Sequence, residues 1–446
     1  MPHLLSARPL DSWCDPFEVF RLLESSSDDV FWLDAGSDAR DGWSFVGVGT
    51  AASSLPREVA LGTPPVGEST DDDAYPPFRG GWIGWRDYES GAAAAGSPVA
   101  GPHGESDPTW LRATRVAAFD HARRRVWALA AAADLDAWQE TLDATPVGAS
   151  ALPTSGTQPN GVVIAQARHD PAEYERLIER CRDLIRAGIA YQLCLTMRFT
   201  VEGHHDAVAV YRRLRGATPA HHGGFIRIAG RALLSASPEQ FLRVSGGAIT
   251  TRPIKGTRPR GSDGVQDAAL AAELRASRKE RAENVMIVDL MRNDLSRVCE
   301  PGSIRVDGLW TVESYPAVHQ LVSTVRGTAS TGTTVGDLFD ATFPAGSMTG
   351  APKLSAMSRL HALEGGPRGI YAGCFGYIGI DGEIDLAMVI RSIVIEGATA
   401  FVGAGGGITW GSEAADEVAE VATKARAPLA ALGAVLPVPW GSDILN

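Results

Sequence analysis

The 446 residues are 44% hydrophobic, 21% charged and 7% aromatic, the proportions of a globular protein with room for two or three domains or one large composite core. A formal charge of -12 without any long basic tract excludes a nucleic-acid-binding face, and no apolar run approaches the length of a membrane span. The five cysteines (Cys14, Cys181, Cys194, Cys299 and Cys374) are odd in number and form no C-x-x-C pair, which argues against a disulfide framework and structural zinc. The first eight residues lack the basic region and apolar core of a signal peptide, so a cytoplasmic protein with reduced thiols is expected.

In chain order, residues 30–34 and 43–48 are short β-like runs, and 78–85 is a strand or bend rich in glycine and aromatic residues. Residues 115–119 could pair with 126–130 across the turn at 120–125. Two stretches rich in Ala, Gly, Ser and Pro, 89–108 and 144–161, read as long loops. They suggest an N-terminal segment over 1–160, a main domain over 161–432 and a short tail over 433–446. Beyond them, 171–187 carries a helical stripe of Tyr174, Leu177, Ile178, Cys181, Leu184 and Ile185. Residues 268–298 form a second long helical stretch, 385–396 a buried strand, and 412–429 a helix with Ser412 as N-cap. Strands and helices intermingle without βαβ repetition, so the expected class is α+β.

Several segments could carry chemistry. In Thr251-Arg-Pro-Ile-Lys255-Gly-Thr257-Arg-Pro-Arg260, the Lys255 amine could attack an electrophilic carbon, or be one more surface cation beside Arg252, Arg258 and Arg260. Glu417, Glu420 and Lys424 are spaced i, i+3, i+7 on one helix face; with Glu283 they could offer hard oxygens to magnesium, or simply be a solvated face with an ion pair. The run Gly403-Ala-Gly405-Gly406-Gly407 could turn backbone N–H groups toward an anion. Arg391, in the apolar run 386–395, needs a carboxylate, either from a ligand or from the protein itself. Thr349, in a tight loop before Pro352, could donate to a ligand or cap its own loop. His319 and Glu239 would each be ordinary in isolation, a core histidine and a surface acid.

Taken together, these segments resemble the chorismate-utilizing enzymes, a family that includes anthranilate, aminodeoxychorismate, isochorismate and salicylate synthases. The resemblance runs from about residue 165 to 430 and rests on motifs in the family's order: Tyr191-Gln192, Ser237-Pro-Glu239, Pro253-Ile-Lys255-Gly-Thr257, Arg281-Ala-Glu283-Asn followed by Asp289-Leu-Met-Arg-Asn-Asp294, Gly350-Ala-Pro-Lys353, and the glycine run with Glu420 and Lys424. Residues 1–160 are similar to the family's smaller segment more weakly, through Leu33-Asp34 and Gly80-Gly81-Trp-Ile-Gly84. The resemblance implies a large composite fold of antiparallel sheets flanked by helices. It implies that Glu283 and Glu420 bind Mg2+ with Glu417 close by. Gly256, Thr257, Tyr371, Arg391, Gly405 and Gly407 would contact chorismate, Lys424 would support its carboxylates, and His319 and Thr349 would line the ring site. Glu239 would protonate the departing C4 hydroxyl and Lys255 would attack C2.

Lysine at 255 is similar to the aminodeoxychorismate branch; anthranilate synthases usually carry a small residue there, and remain the alternative. Gln192 stands where water-adding members resemble one another in carrying a lysine base, which fits ammonia as nucleophile. The implied reaction gives 4-amino-4-deoxychorismate for para-aminobenzoate, folate or related biosynthesis. Ammonia is expected from a separate glutamine amidotransferase subunit, because no cysteine-nucleophile elbow stands out. The serine strand and proline-rich loop that accompany tryptophan feedback in that family have no match at Trp32-Leu-Asp34-Ala35 and Thr218–Gly224, so that inhibition is not expected.

Overall fold

The computed structural model describes residues 4–52, 54–62, 75–100, 109–145, 163–315 and 318–441. Among the described residues the frame is a 19-stranded sheet joined by antiparallel pairings, with a three-stranded sheet and a two-stranded parallel pair beside it. Strands from the first third of the chain are woven into that sheet. Val30–Asp34 pairs with His222–Ile228, and Gly81–Arg86 pairs with Cys374–Gly379. The expected boundary near residue 160 lies outside the described residues, as do residues 101–108 and 146–161 of the two expected loops. With helices packed on antiparallel sheets, the class is α+β.

Local chemistry explains the elements that were legible. Trp110–Asp120 and Arg125–Ala130 form the expected hairpin, with Phe119 opposite Val126 and Asp120 opposite Arg125. The helix Pro171–Arg186 starts where Asp170 accepts the Glu173 N–H at 2.7 Å and Pro171 takes the first turn. Its Tyr174, Ile178 and Cys181 are buried on one face. Asp34, at the end of its strand, is ion-paired with Arg215 and accepts from the Tyr211 hydroxyl at 3.1 Å.

Five local expectations differ from the structure. The long loop expected over 89–108 begins inside a helix, Tyr88–Ala94, which Asp87 starts by accepting from the Ser90 N–H at 2.7 Å. The stretch 268–298 is two helices, Gly264–Ala276 and Arg278–Leu295, because Ser277 leaves helical geometry (ψ 114) and caps the second one, accepting from Glu280 N–H at 3.4 Å. The stretch 385–396 is two strands, Ile384–Met388 and Ser392–Glu396, with Arg391 between them at φ 53. The glycine run is no turn; it lies inside the strand Thr399–Ile408. Ser412 does not cap the last long helix, Ala414–Ala431; its hydroxyl accepts from the Thr409 N–H at 3.1 Å in the preceding turn.

One buried ion pair supports a prediction about the fold. Lys353 Nζ lies 2.7 Å from Asp294 Oδ2, with side-chain exposures of 16% and 5%. Burial pushes the Asp294 carboxyl up to about 6 and the Lys353 amine down, so both partners resist ionising despite each other. Lys353→Met should strand the carboxylate and cost ~3–5 kcal/mol, read as a lower denaturant midpoint. The double variant Asp294→Asn/Lys353→Met should recover much of that loss.

Candidate active site

The site is a pocket of about 730 Å³ closed by several strands and helices. One wall is the open edge of Thr399–Ile408, which pairs through Gly403–Gly407 with the strand Gln192–Glu202. On that neighbour the N–H of Cys194 points away to Thr349 O, and the N–H of Thr196 to Glu364 Oε1, both at 2.8 Å. Their opposite residues, Gly407 and Gly405, are therefore non-hydrogen-bonded pairs whose backbone N–H and C=O face the pocket. Lys424 Nζ confirms the direction by donating to Gly405 O at 2.7 Å. Side chains have no room here: a Cβ on Gly406 would lie 2.6 Å from Glu417 Oε2.

Lys255 is aimed by a bulge. The register of Ile254–Pro259 against Val318–Val322 shifts between Ile254 and Thr257, and Gly256 sits at φ 83. The shift turns Lys255 into the pocket, toward Gly407. A Cβ on Gly407 would lie 3.1 Å from Lys255 Nζ and 2.8 Å from Gln192 Nε2. Gln192 is fully buried, and among the described residues neither polar atom of its amide has a hydrogen-bond partner. The arginines around the lysine are neutralised: Arg252 pairs with Glu313, and Arg258 with Glu273 at 2.7 Å. Gly407→Ala should displace Lys255 and Gln192 and lower kcat/KM by ~10²-fold, with the far-ultraviolet spectrum unchanged.

Glu239 and Ser347 form the opposite side. Burial pushes the Glu239 carboxyl up to about 7, against the pull of Lys255, a Ser347 hydrogen bond and Lys424. Such a carboxyl can be protonated at neutral pH and still give its proton up. Tyr371 and Arg391 close one end. Burial lowers the Arg391 pKa, and the residue forms no ion pair among the described residues, so the internal salt bridge is not what holds it.

At the other end, Glu283 meets Glu417, Glu420 and Lys424 across the pocket. Glu283 and Glu417 are raised by burial and by neighbouring carboxylates. For Glu420 burial acts in the same sense but is outweighed by Lys424, whose Nζ lies 2.6 Å from Oε1, and the carboxyl falls below its usual range. Among the described residues no three acidic, histidine or cysteine side chains are gathered closely enough to cage a metal. The donors are hard oxygens, which suit Mg2+ sharing its shell with a substrate rather than held by protein alone.

The structure thus gathers Lys255, Glu239, Gly256, Thr257, Tyr371, Arg391, Gly405, Gly407, Glu283, Glu417, Glu420 and Lys424 around one pocket, with Gln192 buried behind Gly407. It does not bring His319 or Thr349 there. His319 is turned outward from the pocket, with Nε2 2.9 Å from Asp267 Oδ1 and Nδ1 2.8 Å from Ser314 Oγ. Strand alternation gives the pocket to its neighbours Val318 and Gln320. The Thr349 hydroxyl donates to Ala345 O at 3.1 Å, closing its own loop, and Ser347 faces the pocket instead. Lys279, Gln320 and Ser347 are among the polar lining residues that sequence reading missed. Only for Gln320 was there a signal, the period-2 alternation that puts it opposite Thr257.

Comparison with known proteins places the chain in a family. The family model described as chorismate binding enzyme matches residues 28–430. Aminodeoxychorismate synthase of Streptomyces pristinaespiralis is 41% identical over 368 residues, 80% of this chain and 51% of that protein. Anthranilate synthase component 1 of Streptomyces coelicolor is 37% identical over 375 residues, 80% of this chain and 73% of that one. The chain therefore spans about half the length of the first of these relatives. The crystal structure of anthranilate synthase component I from Streptococcus pneumoniae superposes with a TM-score of 0.68 at 27% identity, covering 95% of this chain and 92% of that one. The family model covers most of the chain, and the chain belongs to the family of chorismate binding enzymes.

Proposed function

We propose that this protein aminates chorismate at C4, giving 4-amino-4-deoxychorismate and water. The observation that carries the reading is the Lys255 amine in the same pocket as a buried carboxyl raised to about 7, Glu239. Lys255 adds to C2 while Glu239 protonates the C4 hydroxyl, which departs as water. Ammonia then bonds to C4, the C2–N bond breaks, and Lys255 returns to its free form with the enolpyruvyl group retained. The substrate's two carboxylates call for cations, and Arg391, Lys424 and the N–H groups of Gly405 and Gly407 face them, with Tyr371, Gly256 and Thr257 completing the walls. Glu283 and Glu420, with Glu417 beside them, would hold Mg2+, which when bound neutralises a substrate carboxylate. Glu420→Ala should therefore raise the magnesium needed for half-maximal turnover by at least ~10-fold; full activity at low magnesium would remove Glu420 from that role.

Ammonia would come from a separate glutamine amidotransferase subunit. In support, all five cysteines are free and buried, and so poorly placed to act as a glutaminase nucleophile. The same free thiols favour a reducing, cytoplasmic setting, and among the described residues no helix is long and apolar enough to cross a membrane. The second reading, anthranilate formation, is favoured by the 37% identity to an anthranilate synthase component. Product analysis separates the two. The protein is incubated with chorismate, magnesium and ammonium at mildly alkaline pH, and aminodeoxychorismate lyase is added to half. 4-Aminobenzoate appearing only with the lyase supports amination at C4; anthranilate and pyruvate without it would overturn that reading.

A further inference from the structure

The sheet face that forms the active-site pocket continues past it. Cys194, Thr196 and Arg198 lie opposite Gly407, Gly405 and Gly403, so all six share one face. The Cys194–Gly407 end opens on the active-site pocket. Beyond the Arg198–Gly403 end lies a second cavity of about 210 Å³. The Tyr371 ring rests directly on Gly403, where any Cβ would collide with it, and both residues line both cavities. Tyr371 is thus the partition between them.

The chemistry of this rear chamber is specific. Three arginines border it, and two are occupied. Arg368 is bonded to Glu364 and to the carbonyls of Met348 and Cys194. Arg168 donates to the carbonyls of Gly366 and Pro367. Arg198 lies with its guanidinium 4.7 Å from the Phe401 ring and forms no ion pair among the described residues. Burial lowers its pKa, and nearby Arg168 adds to the effect. The Arg198 side chain is half-buried on the chamber wall, and a carboxylate fits the fork of its guanidinium. Around it the wall is apolar, with Ile370, Val394 and Phe401. Glu396, also on the rim, disfavours a second negative charge on any occupant.

We propose that the chamber behind Tyr371 is a binding site for a small organic monocarboxylate with an apolar body, separate from the active-site pocket. The carboxylate would lie on Arg198 and the body against Phe401 and Ile370. An occupant would hold the Tyr371 ring in place, and with it one wall of the active-site pocket. The assignment does not depend on which reaction that pocket performs.

The probe is benzoate, titrated into the full chain by calorimetry, with benzamide as its uncharged counterpart of the same shape. Benzoate should bind saturably, and benzamide at least ~10-fold more weakly, because a charge-assisted bond is lost. Arg198→Met should weaken benzoate by a similar factor, whereas Arg391→Met, which removes the cation of the other pocket, should leave it unchanged. Absence of saturable binding at millimolar benzoate, or equal binding of benzoate and benzamide, would overturn the proposal. So would a loss in Arg391→Met that Arg198→Met does not share. If Arg198→Met fails to fold, the two probes on Arg391→Met decide: a preference for benzoate that persists there supports the chamber, and its loss overturns the proposal.

Discussion

Glu239→Gln should slow chorismate turnover by ~10²- to 10⁴-fold, the usual worth of a positioned general acid. Hydroxide is a poor leaving group, and Glu239 is a buried carboxyl raised to about 7, facing the pocket beside Ser347. The proposed acid role needs the protonated form. Wild-type turnover per free ammonia, divided by that of Glu239→Gln at the same pH, should therefore be level below pH 7 and fall as pH rises through the Glu239 pKa, because the ratio cancels the need of both proteins for an unprotonated Lys255 amine. Glutamine keeps the shape but has no proton to give, so the variant's profile should lose that falling limb as well as its rate. The measurement is kcat/KM for chorismate with saturating magnesium from pH 6 to 9, corrected for the fraction of ammonia unprotonated. A wild-type limb that persists in the variant would assign it to another group.

Removal of the Lys255 amine should be at least as damaging. Lys255→Ala is expected to lower the yield of 4-amino-4-deoxychorismate by ~10³-fold or more, as deletions of covalent nucleophiles do. The variant should still bind chorismate, because Arg391, Lys424 and the Gly405 and Gly407 backbone remain. The effect should therefore fall on kcat rather than KM. Its size depends on the bulge at Lys255-Gly256, which directs one amine at the ring site. Trapping the adduct offers an independent check: mass spectrometry of the quenched wild-type reaction without ammonia should show a modified peptide containing Lys255, absent from Lys255→Ala. An unchanged rate and product in the variant would end the nucleophile assignment.

What could be read from the chain alone was what neighbouring residues settle among themselves. Asp170 and Pro171 announce a helix start, and 115–119 with 126–130 announce a hairpin, because caps and period-2 alternation act over a few residues. The site motifs were equally legible as residue types: an amine at Lys255, acids at Glu239, Glu283 and Glu420, glycines at 405 and 407. Where those groups point was decided elsewhere. The glycine run reads locally as a turn, yet its pairing with Gln192–Glu202 makes it a strand edge, and only then do Gly405 and Gly407 present their backbone to a ligand. His319 and Gln320 are adjacent, and a strand sends them to opposite sides; the register of Thr257 against Gln320 puts the amide in the pocket and the imidazole on Asp267. Continuous helix formers hid the break at Ser277, which starts afresh the helix that carries Lys279 and Glu283. Pairing partners far apart in the chain set the directions of the glycine run and of His319 and Gln320, and their choice is made by burial of the whole sheet; the break at Ser277 is local, through its cap on the Glu280 N–H. The sequence by itself therefore determined which chemical groups this protein has, and the tertiary structure alone decided which of them meet.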